Sequence, residues 1–178
     1  VTDADTAVEK ALQQRIKKKH PAHGIIGEEF PAVNPGADFQ WIIDPIDGTL
    51  SFIRGIPLFG TIIALHYRGK PLVGVIDHPA LNLRTSAARG LGTYRNGKRQ
   101  FLKTHPRIAV EKEIIAVADR AQFLRTKRED RFDSLMRSHP HVRVYSDCFG
   151  HTLAVSGAVG ATADFGIRLW DVAATQLL

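Results

Sequence analysis

Cysteine is nearly absent from this chain, since Cys148 is the only one among 178 residues. A single thiol excludes an internal disulfide framework and is typical of proteins in a reducing compartment such as the cytoplasm. Long apolar runs are also missing, because no segment approaches the roughly 20 residues that a transmembrane helix requires. The opening Val-Thr-Asp-Ala-Asp does not resemble a signal peptide. These absences favour a globular cytoplasmic protein with no membrane partner.

Negative charge is in deficit, with 24 Lys and Arg against 18 Asp and Glu and a net charge of +6. The basic residues cluster at 15–19, 95–103 and 125–131. Such faces attract phosphorylated ligands and also nucleic acid. The clusters contain few aromatic residues and match no nucleic-acid-binding module, so nucleic acid is not an expected partner and a small phosphorylated substrate is favoured.

Hydrophobic periodicity predicts alternating helices and strands in a layered α/β architecture. A helix is predicted over 3–19, with Val8, Leu12 and Ile16 on its buried face. Two hairpins are predicted, one turning at residues 68–70 and one at Asn96-Gly97. The other predicted segments are strands at 60–67, 71–77, 113–118, 141–145 and 163–167, helices at 128–138 (with Phe132, Leu135 and Met136 on one face) and 148–157, and a last helix opened by Asp171.

Carboxylates concentrate where the predicted strands end. The stretch Trp41-Ile-Ile-Asp-Pro-Ile-Asp-Gly-Thr49 predicts a buried strand that runs into Asp44 and Asp47 and then into a helix. Ionised carboxylates are costly beside an apolar strand unless a cation pairs with them, and the stretch contains no Lys or Arg. Oxygen ligands without sulfur favour Mg²⁺, Mn²⁺ or Ca²⁺. Pro45 stiffens the turn, so the Ile46 carbonyl can face the same ion.

Gly48 and Thr49 follow the second carboxylate and would offer backbone amides to a phosphate at a helix start. A metal and a phosphate at one place indicate two-metal phosphoryl hydrolysis, in which the ions lie roughly 3.5–4 Å apart. The alternative is an Asp-rich turn whose carboxylates only cap a helix. Further acids at strand ends or helix starts are Glu28 and Asp171, with Asp5 behind them.

Three motifs in this order carry a resemblance to a known family: Gly27-Glu28-Glu29, the stretch 41–49 and Trp170-Asp171-Val-Ala-Ala174. Together they resemble the inositol monophosphatase superfamily of Mg²⁺-dependent, lithium-sensitive phosphatases. The resemblance implies an α-β-α-β-α sandwich and one phosphatase domain over 1–178, short of the family's N-terminal helix and C-terminal strand-helix unit. It also implies a homodimer, two or three Mg²⁺ per site with Mn²⁺ as a substitute, and inhibition by Li⁺.

The resemblance also assigns roles at the site. Glu28, Asp44 and the Ile46 carbonyl would bind the first Mg²⁺. Asp44, Asp47 and Asp171 would bind the second, so Asp44 would bridge. The residues expected to act in catalysis are Glu28 and Thr49, which would position and deprotonate an attacking water, and Asp47. Gly48 and Thr49 would hold the phosphate, and Asp5 would be a helper near a weaker third ion. Glu29 is expected to be solvated.

Substrate choice is expected to depend on Asp147, Cys148 and Asp164. Asp164 lies seven residues before Asp171, where inositol monophosphatases place an acid that contacts sugar hydroxyls. Two carboxylates would favour a cationic alcohol such as histidinol. The sequence also resembles the histidinol-phosphatase branch at 47–53, 57–61, 74–79 and 146–149, although Leu50 differs from the residue expected in that branch. The alternatives are that Asp147 only caps its helix, and that His66, His78 and His151 are packing residues.

Histidinol-phosphate hydrolysis to histidinol and phosphate, a step of histidine biosynthesis, is therefore the predicted activity. An inositol monophosphatase or a broader sugar-phosphate phosphatase is the first alternative. A non-catalytic relative that binds divalent metal or phosphate is the second.

Overall fold

The structure is a computed structural model that describes residues 1–100 and 112–178. The end of the basic cluster 95–103 therefore lies outside the described residues. The chain forms two compact units, one of Val1–Gln100 with Arg168–Leu178 and the other of Phe101–Ile167. Within the two described ranges, no helix is both long and apolar enough to cross a membrane. The assignment of 1–178 to one phosphatase domain stays a prediction.

The first unit is built on a seven-stranded sheet in the order β1 to β7. β1 is parallel to β2, and each later neighbour is antiparallel. Its elements are α1 (Asp3–Lys19), β1 (Gly24–Gly27), β2 (Phe39–Asp47), α2 (Thr49–Ile53), β3 (Gly60–Tyr67), β4 (Lys70–His78), β5 (Leu83–Ala88), β6 (Gly92–Arg95), β7 (Lys98–Gln100) and, near the end of the chain, α6 (Leu169–Val172).

Strands β2 and β3 carry much of the buried apolar surface of this sheet. Strand β3 alternates buried and half-buried residues, whereas β2 is buried continuously from Ile42 to Ile46. The pairing of β2 with β3 shifts register between Asp44 and Asp47. Such an irregularity bends a strand and redirects its side chains, so the two acids fall at the point where regular pairing ends.

The predicted hairpin turns are confirmed. Arg68 and Gly69 have φ values of 47° and 74°, and Asn96 and Gly97 have 48° and 77°. Left-handed backbone at both central positions matches the twist of two antiparallel strands, so a glycine suits the second position of each turn.

Helix α1 begins where the sequence predicts, with Thr2 as its N-cap. Its buried face differs from the prediction. Ile16 is buried, but Val8 and Leu12 are only half-buried. The other buried side chains of the helix are polar: Asp5, Glu9 and Gln13. These residues recur every fourth position, so they form one polar stripe directed towards the protein interior.

The second unit contains a three-stranded parallel sheet in the order β10-β8-β9. Phe123 packs edge-to-face on Phe132 and Phe165, with ring centroids 5.1 and 4.9 Å away. Its elements are β8 (Ile115–Val117), α3 (Arg120–Arg125), α4 (Glu129–Ser138), β9 (Val142–Val144), α5 (Asp147–Val155) and β10 (Ala161–Ala163).

Several predicted details of these later elements are wrong. Met136 is 47% exposed and does not share the buried face of Phe132, although it lies about one helical turn from it. The strand predicted at 163–167 lies at Ala161–Ala163. The last helix begins at Leu169, so Asp171 is its third residue.

Candidate functional site

Three carboxylates from distant parts of the sequence meet in the first unit. Asp44, Asp47 and Asp171 each offer one oxygen, and these oxygens all lie within 4.8 Å of one another. Strand β2 supplies the first two residues and α6 supplies the third. Like charges at such distances repel, so a cation among them would stabilise the ionised carboxylates.

Asp171 is held in place by a backbone amide of the same segment and by the sheet beneath that segment. Its Oδ2 accepts a hydrogen bond of 2.6 Å from the Arg168 amide. The following residues lie directly on the sheet, because Gly74 of β4 has no side chain: a Cβ there would meet the Ala174 carbonyl oxygen at 2.6 Å. The segment that carries Asp171 therefore has a fixed position over β4.

Glu28 is the fourth acid at this place. Gly27 of β1 pairs with Ile43 of β2, which brings the next residues, Glu28 and Asp44, side by side. The two acids interact, and the charge of Glu28 is one cause of the raised pKa of Asp44. Although Glu28 is exposed overall, partial burial of its carboxyl group, followed by the charges of Glu29 and Asp171, raises its pKa. The parallel pairing of β1 with β2 thus joins the two acidic motifs.

Asp44 is the acid of the site whose pKa is most clearly raised. Burial, followed by the charges of Asp47, Glu28 and Asp171, raises its pKa to about 10. Its Oδ1 is buried and makes no hydrogen bond to any part of the chain that the structure describes. A buried carboxylate oxygen without a donor is costly, and a hard cation among oxygen ligands removes that cost. The residues present therefore fit a divalent metal ion.

Thr49 connects the acidic group to α1. Its hydroxyl lies 3.0 Å from the Ile46 carbonyl oxygen and 3.4 Å from Asp5 Oδ1. Asp5 is fully buried, and its Oδ2 accepts hydrogen bonds of 2.6 Å from both the amide and the hydroxyl of Thr2. Between Asp47 and Thr49, Gly48 has a φ of 80°, which glycine adopts without strain.

Glu9 is a site neighbour that the sequence reasoning missed. It is fully buried, and its Oε2 accepts a hydrogen bond of 2.8 Å from the Glu29 amide. The apolar pattern of Val8, Leu12 and Ile16 hid it. The available signal was the polar spacing of Asp5, Glu9 and Gln13, which places three hydrogen-bonding side chains on one helix face.

The three residues predicted to bind substrate lie in the second unit. Asp164 Oδ2 is 3.6 Å from His151 Nε2, and Asp164 Oδ1 is buried without a hydrogen-bond partner in residues 1–100 and 112–178. Asp147 is the first residue of α5 and has a left-handed φ of 59°. Cys148 is fully buried. Their role in substrate binding stays a prediction.

The histidines singled out in the sequence are buried: His66, His78 and His151 are 6%, 0% and 4% exposed. His66 Nε2 lies 3.4 Å from the Ala173 carbonyl oxygen, and His78 Nδ1 lies 3.0 Å from that of Phe59. Burial lowers the pKa of His78, which favours its neutral form. These contacts agree with packing roles.

Four acids at the ends of β1 and β2 and in α6 define a candidate divalent-metal site on an α/β sheet. Comparison with known proteins identifies the family: residues 1–178 match the inositol monophosphatase family, and the chain belongs to it. It is 36% identical to a histidinol-phosphatase of Mycobacterium tuberculosis over 181 residues, covering all of this chain and 70% of that protein. It is 38% identical to a histidinol-phosphatase of Chlorobaculum parvum over 175 residues, covering 98% of this chain and 66% of that protein.

A solved structure of an inositol monophosphatase from Anabaena superposes with a TM-score of 0.89 at 28% identity, covering all of this chain and 71% of that one. The predicted α/β fold of the inositol monophosphatase type is thereby confirmed, as is the resemblance to the histidinol-phosphatase branch. The chain spans about two thirds of the length of these relatives.

Proposed function

We propose that this chain carries the active site of a Mg²⁺-dependent phosphomonoesterase that hydrolyses histidinol phosphate to histidinol and phosphate. The observation that carries the proposal is the buried Asp44 oxygen without a donor, placed among carboxylates within 4.8 Å. An ion-free role would leave this acid both desolvated and repelled by its neighbours. Membership of a phosphatase family supports the same conclusion.

The proposed ligands are those named from the sequence. Glu28, Asp44 and the Ile46 carbonyl would hold one cation, and Asp44, Asp47 and Asp171 would hold the other. When bound, divalent cations supply Lewis-acid stabilisation for the phosphoryl oxygens and acidify water at the site. Mg²⁺ suits a site of carboxylate and carbonyl oxygens, and Mn²⁺ is an expected substitute. Asp5, behind Thr49, is proposed as a helper near a third and weaker ion.

The residues around the ligands would handle the proton and the phosphate. Glu28 accepts a proton from the attacking water, a role for which a raised pKa is suited. The Thr49 hydroxyl, which the Ile46 carbonyl and Asp5 already hold, orients that water. The Gly48 and Thr49 amides bind the phosphate. The water oxygen forms a bond to phosphorus, the ester bond to the alcohol breaks, and the alkoxide leaves as the alcohol after taking up a proton.

The proposed alcohol is histidinol because it is cationic. Asp164 has a buried oxygen without a donor, and an ammonium group would supply one. Asp147 is the second acid proposed to contact the alcohol. The histidinol-phosphatase names of two relatives support the same substrate.

Phosphate release tests the proposal. The full chain with Mg²⁺ is given histidinol phosphate, myo-inositol 1-phosphate, fructose bisphosphate and a 3′,5′-nucleotide side by side. We expect the highest kcat/KM with histidinol phosphate, and inhibition by Li⁺. Asp164→Asn keeps hydrogen bonding to hydroxyl groups but loses the negative charge, so it should lower kcat/KM for histidinol phosphate more than for the inositol ester.

An inositol monophosphatase is the second candidate, favoured by the close superposition on the Anabaena enzyme of that name. A clear preference for the inositol ester would select it while leaving the metal site intact. Binding of Mg²⁺ and phosphate without turnover would instead indicate a non-catalytic relative. The homodimer and the cytoplasmic location stay predictions.

A further inference from the structure

Helix α1 contains a chain of side-chain hydrogen bonds that runs from exposed Lys17 to buried Glu9, beside the candidate site. Lys17 Nζ lies 3.4 Å from Gln13 Oε1, and Gln13 Nε2 donates to Glu9 Oε1 at 3.0 Å. Glu9 Oε2 then accepts the Glu29 amide at 2.8 Å. Gln13 is 8% exposed and Glu9 is fully buried. A helix that packs on a sheet normally buries apolar side chains, so a carboxylate at this position calls for a specific reason.

The strand end next to Glu9 is shaped around its carboxylate. A Cβ on Gly27 would lie 1.9 Å from Glu9 Oε1, so any larger residue at this position would displace the acid. Gly27 is paired with Ile43 of β2, and Glu28 comes directly after it. The Glu9 carboxylate therefore contacts the backbone on both sides of Glu28, at the α-carbon before it and at the amide after it.

We propose that Glu9 is a positioning residue, which holds Glu28 against Asp44 by fixing the backbone of residues 27–29. This inference rests on the proposed function, because it gives Glu28 a part in metal binding. An apolar residue at position 9 could fill the same volume, but it would leave the Glu29 amide without an acceptor. Glu28 would then be free to turn away from β2, since it is exposed to solvent.

Four substitutions test this role. Glu9→Ala removes both contacts, and Glu9→Asp keeps the charge but is one methylene shorter and cannot reach the Glu29 amide. Glu9→Gln keeps an oxygen that can accept this amide. Gln13→Ala is the matched control, because it removes a buried hydrogen bond of the same chain without touching residues 27–29. The measurements are Mg²⁺ affinity by titration calorimetry, the melting temperature Tm without metal, and kcat and KM.

We expect Glu9→Ala and Glu9→Asp to weaken Mg²⁺ binding roughly 10- to 100-fold, as removal of the groups that orient metal ligands usually does. Glu9→Gln should restore most of the affinity. Gln13→Ala should lower Tm yet keep the wild-type Mg²⁺ affinity. If Glu9→Ala fails to fold, Glu9→Asp decides the result.

Two outcomes would overturn this inference alone. If Glu9→Asp and Gln13→Ala both lower Tm and both keep wild-type Mg²⁺ affinity and kcat, Glu9 only stabilises the fold. If Glu9→Gln is as impaired as Glu9→Asp, the hydrogen bond to Glu29 does not carry the effect. A wild-type protein that binds no Mg²⁺ would overturn the proposed function together with this inference, so the two failures are distinguishable.

Discussion

The acids of this chain occur in two contrasting settings. On the exposed surface, Asp38 lies 3.0 Å from an Arg68 nitrogen, and Asp133 lies 3.2 Å from one of Arg120. In each case the arginine lowers the pKa of the aspartate. At the end of β2 the neighbours of Asp44 are carboxylates instead, and burial, followed by their charges, raises its pKa to about 10.

The contrast is informative because the chain has six more basic than acidic charges. Arginines pair with acids at the surface, where a pair contributes little to stability. Buried Asp44, for which an unpaired charge costs most, is surrounded by like charge. Local rules of stability are broken mainly where function requires it. The acidic group is therefore best explained as a binding site for cations that come from solution.

The largest effect is expected from removing one charge of the acidic group. Asp47→Asn takes away a proposed ligand while keeping the size of the side chain. Loss of several kcal/mol of transition-state stabilisation corresponds to about 10³-fold in phosphate release. The check is kcat/KM with Mg²⁺ present, together with a circular dichroism spectrum to show that the fold is kept.

The same substitution at a surface pair is the control. Asp38→Asn changes an exposed acid that an arginine holds, and it should leave kcat/KM unchanged. If both variants lose activity equally, or neither does, the distinction between the two settings has no functional meaning.

A second large effect concerns metal and stability. Cations that bind the folded chain stabilise it by about 2.7 kcal/mol at 100 times their Kd, or roughly 5–10 °C in Tm for a chain of this size. Mg²⁺ should therefore raise the Tm of the wild-type protein in thermal denaturation. Asp44→Asn should melt higher than wild type in EDTA, because the repulsion is relieved, yet gain little from Mg²⁺. An equal Mg²⁺ response in both proteins would place the ion elsewhere.

The pH dependence of the metal-free protein should show the same repulsion. The folded state raises the pKa of Asp44 from 3.8 to about 10, so it binds this proton more tightly than the unfolded chain does. The resulting stability is complete below about pH 4 and is lost as the pH rises towards 10. In EDTA, the Tm of wild type should fall over this range more steeply than that of Asp44→Asn.

Added Mg²⁺ should reduce that decline, because cations bind the ionised carboxylates. If the Tm of the wild-type protein and that of Asp44→Asn change with pH in the same way, with and without Mg²⁺, the pKa of Asp44 is not raised.

The parts of the site that follow from local pattern could be predicted from the sequence. A buried apolar strand that runs into Asp44 and Asp47 is a local feature, and so are the two hairpin turns. The convergence of Asp171 with them depends on Gly74, far away in the chain, which lets the segment after α6 lie on β4. From the residues alone, Asp171 was only one more acid at a helix start, and the family resemblance was needed to assign it to the same site.

Two features that were not predicted from the sequence, Glu9 and strand β5, also have a physical explanation. Glu9 was hidden because an apolar repeat beside it suggested a different buried face. Strand β5 (Leu83–Ala88) was not predicted, since its buried residues are Thr85 and Ala87, which give no hydrophobic alternation. Both cases involve burial of small or polar side chains, which depends on tertiary contacts more than on local propensity.

The smallest effect is expected at the surface pairs, and it completes the comparison. Arg120→Ala removes the partner of Asp133, which is exposed and whose pKa the arginine lowers. A lowered pKa in the folded state gives stability above about pH 4 that is lost as the pH falls. Any loss of Tm in the variant should therefore be slight at neutral pH, vanish in acid and shrink in high salt. Thermal denaturation curves at two pH values and two salt concentrations measure this difference in Tm. A decrease in Tm as large as the increase caused by Mg²⁺ would show that the surface pairs contribute as much to stability as the metal does.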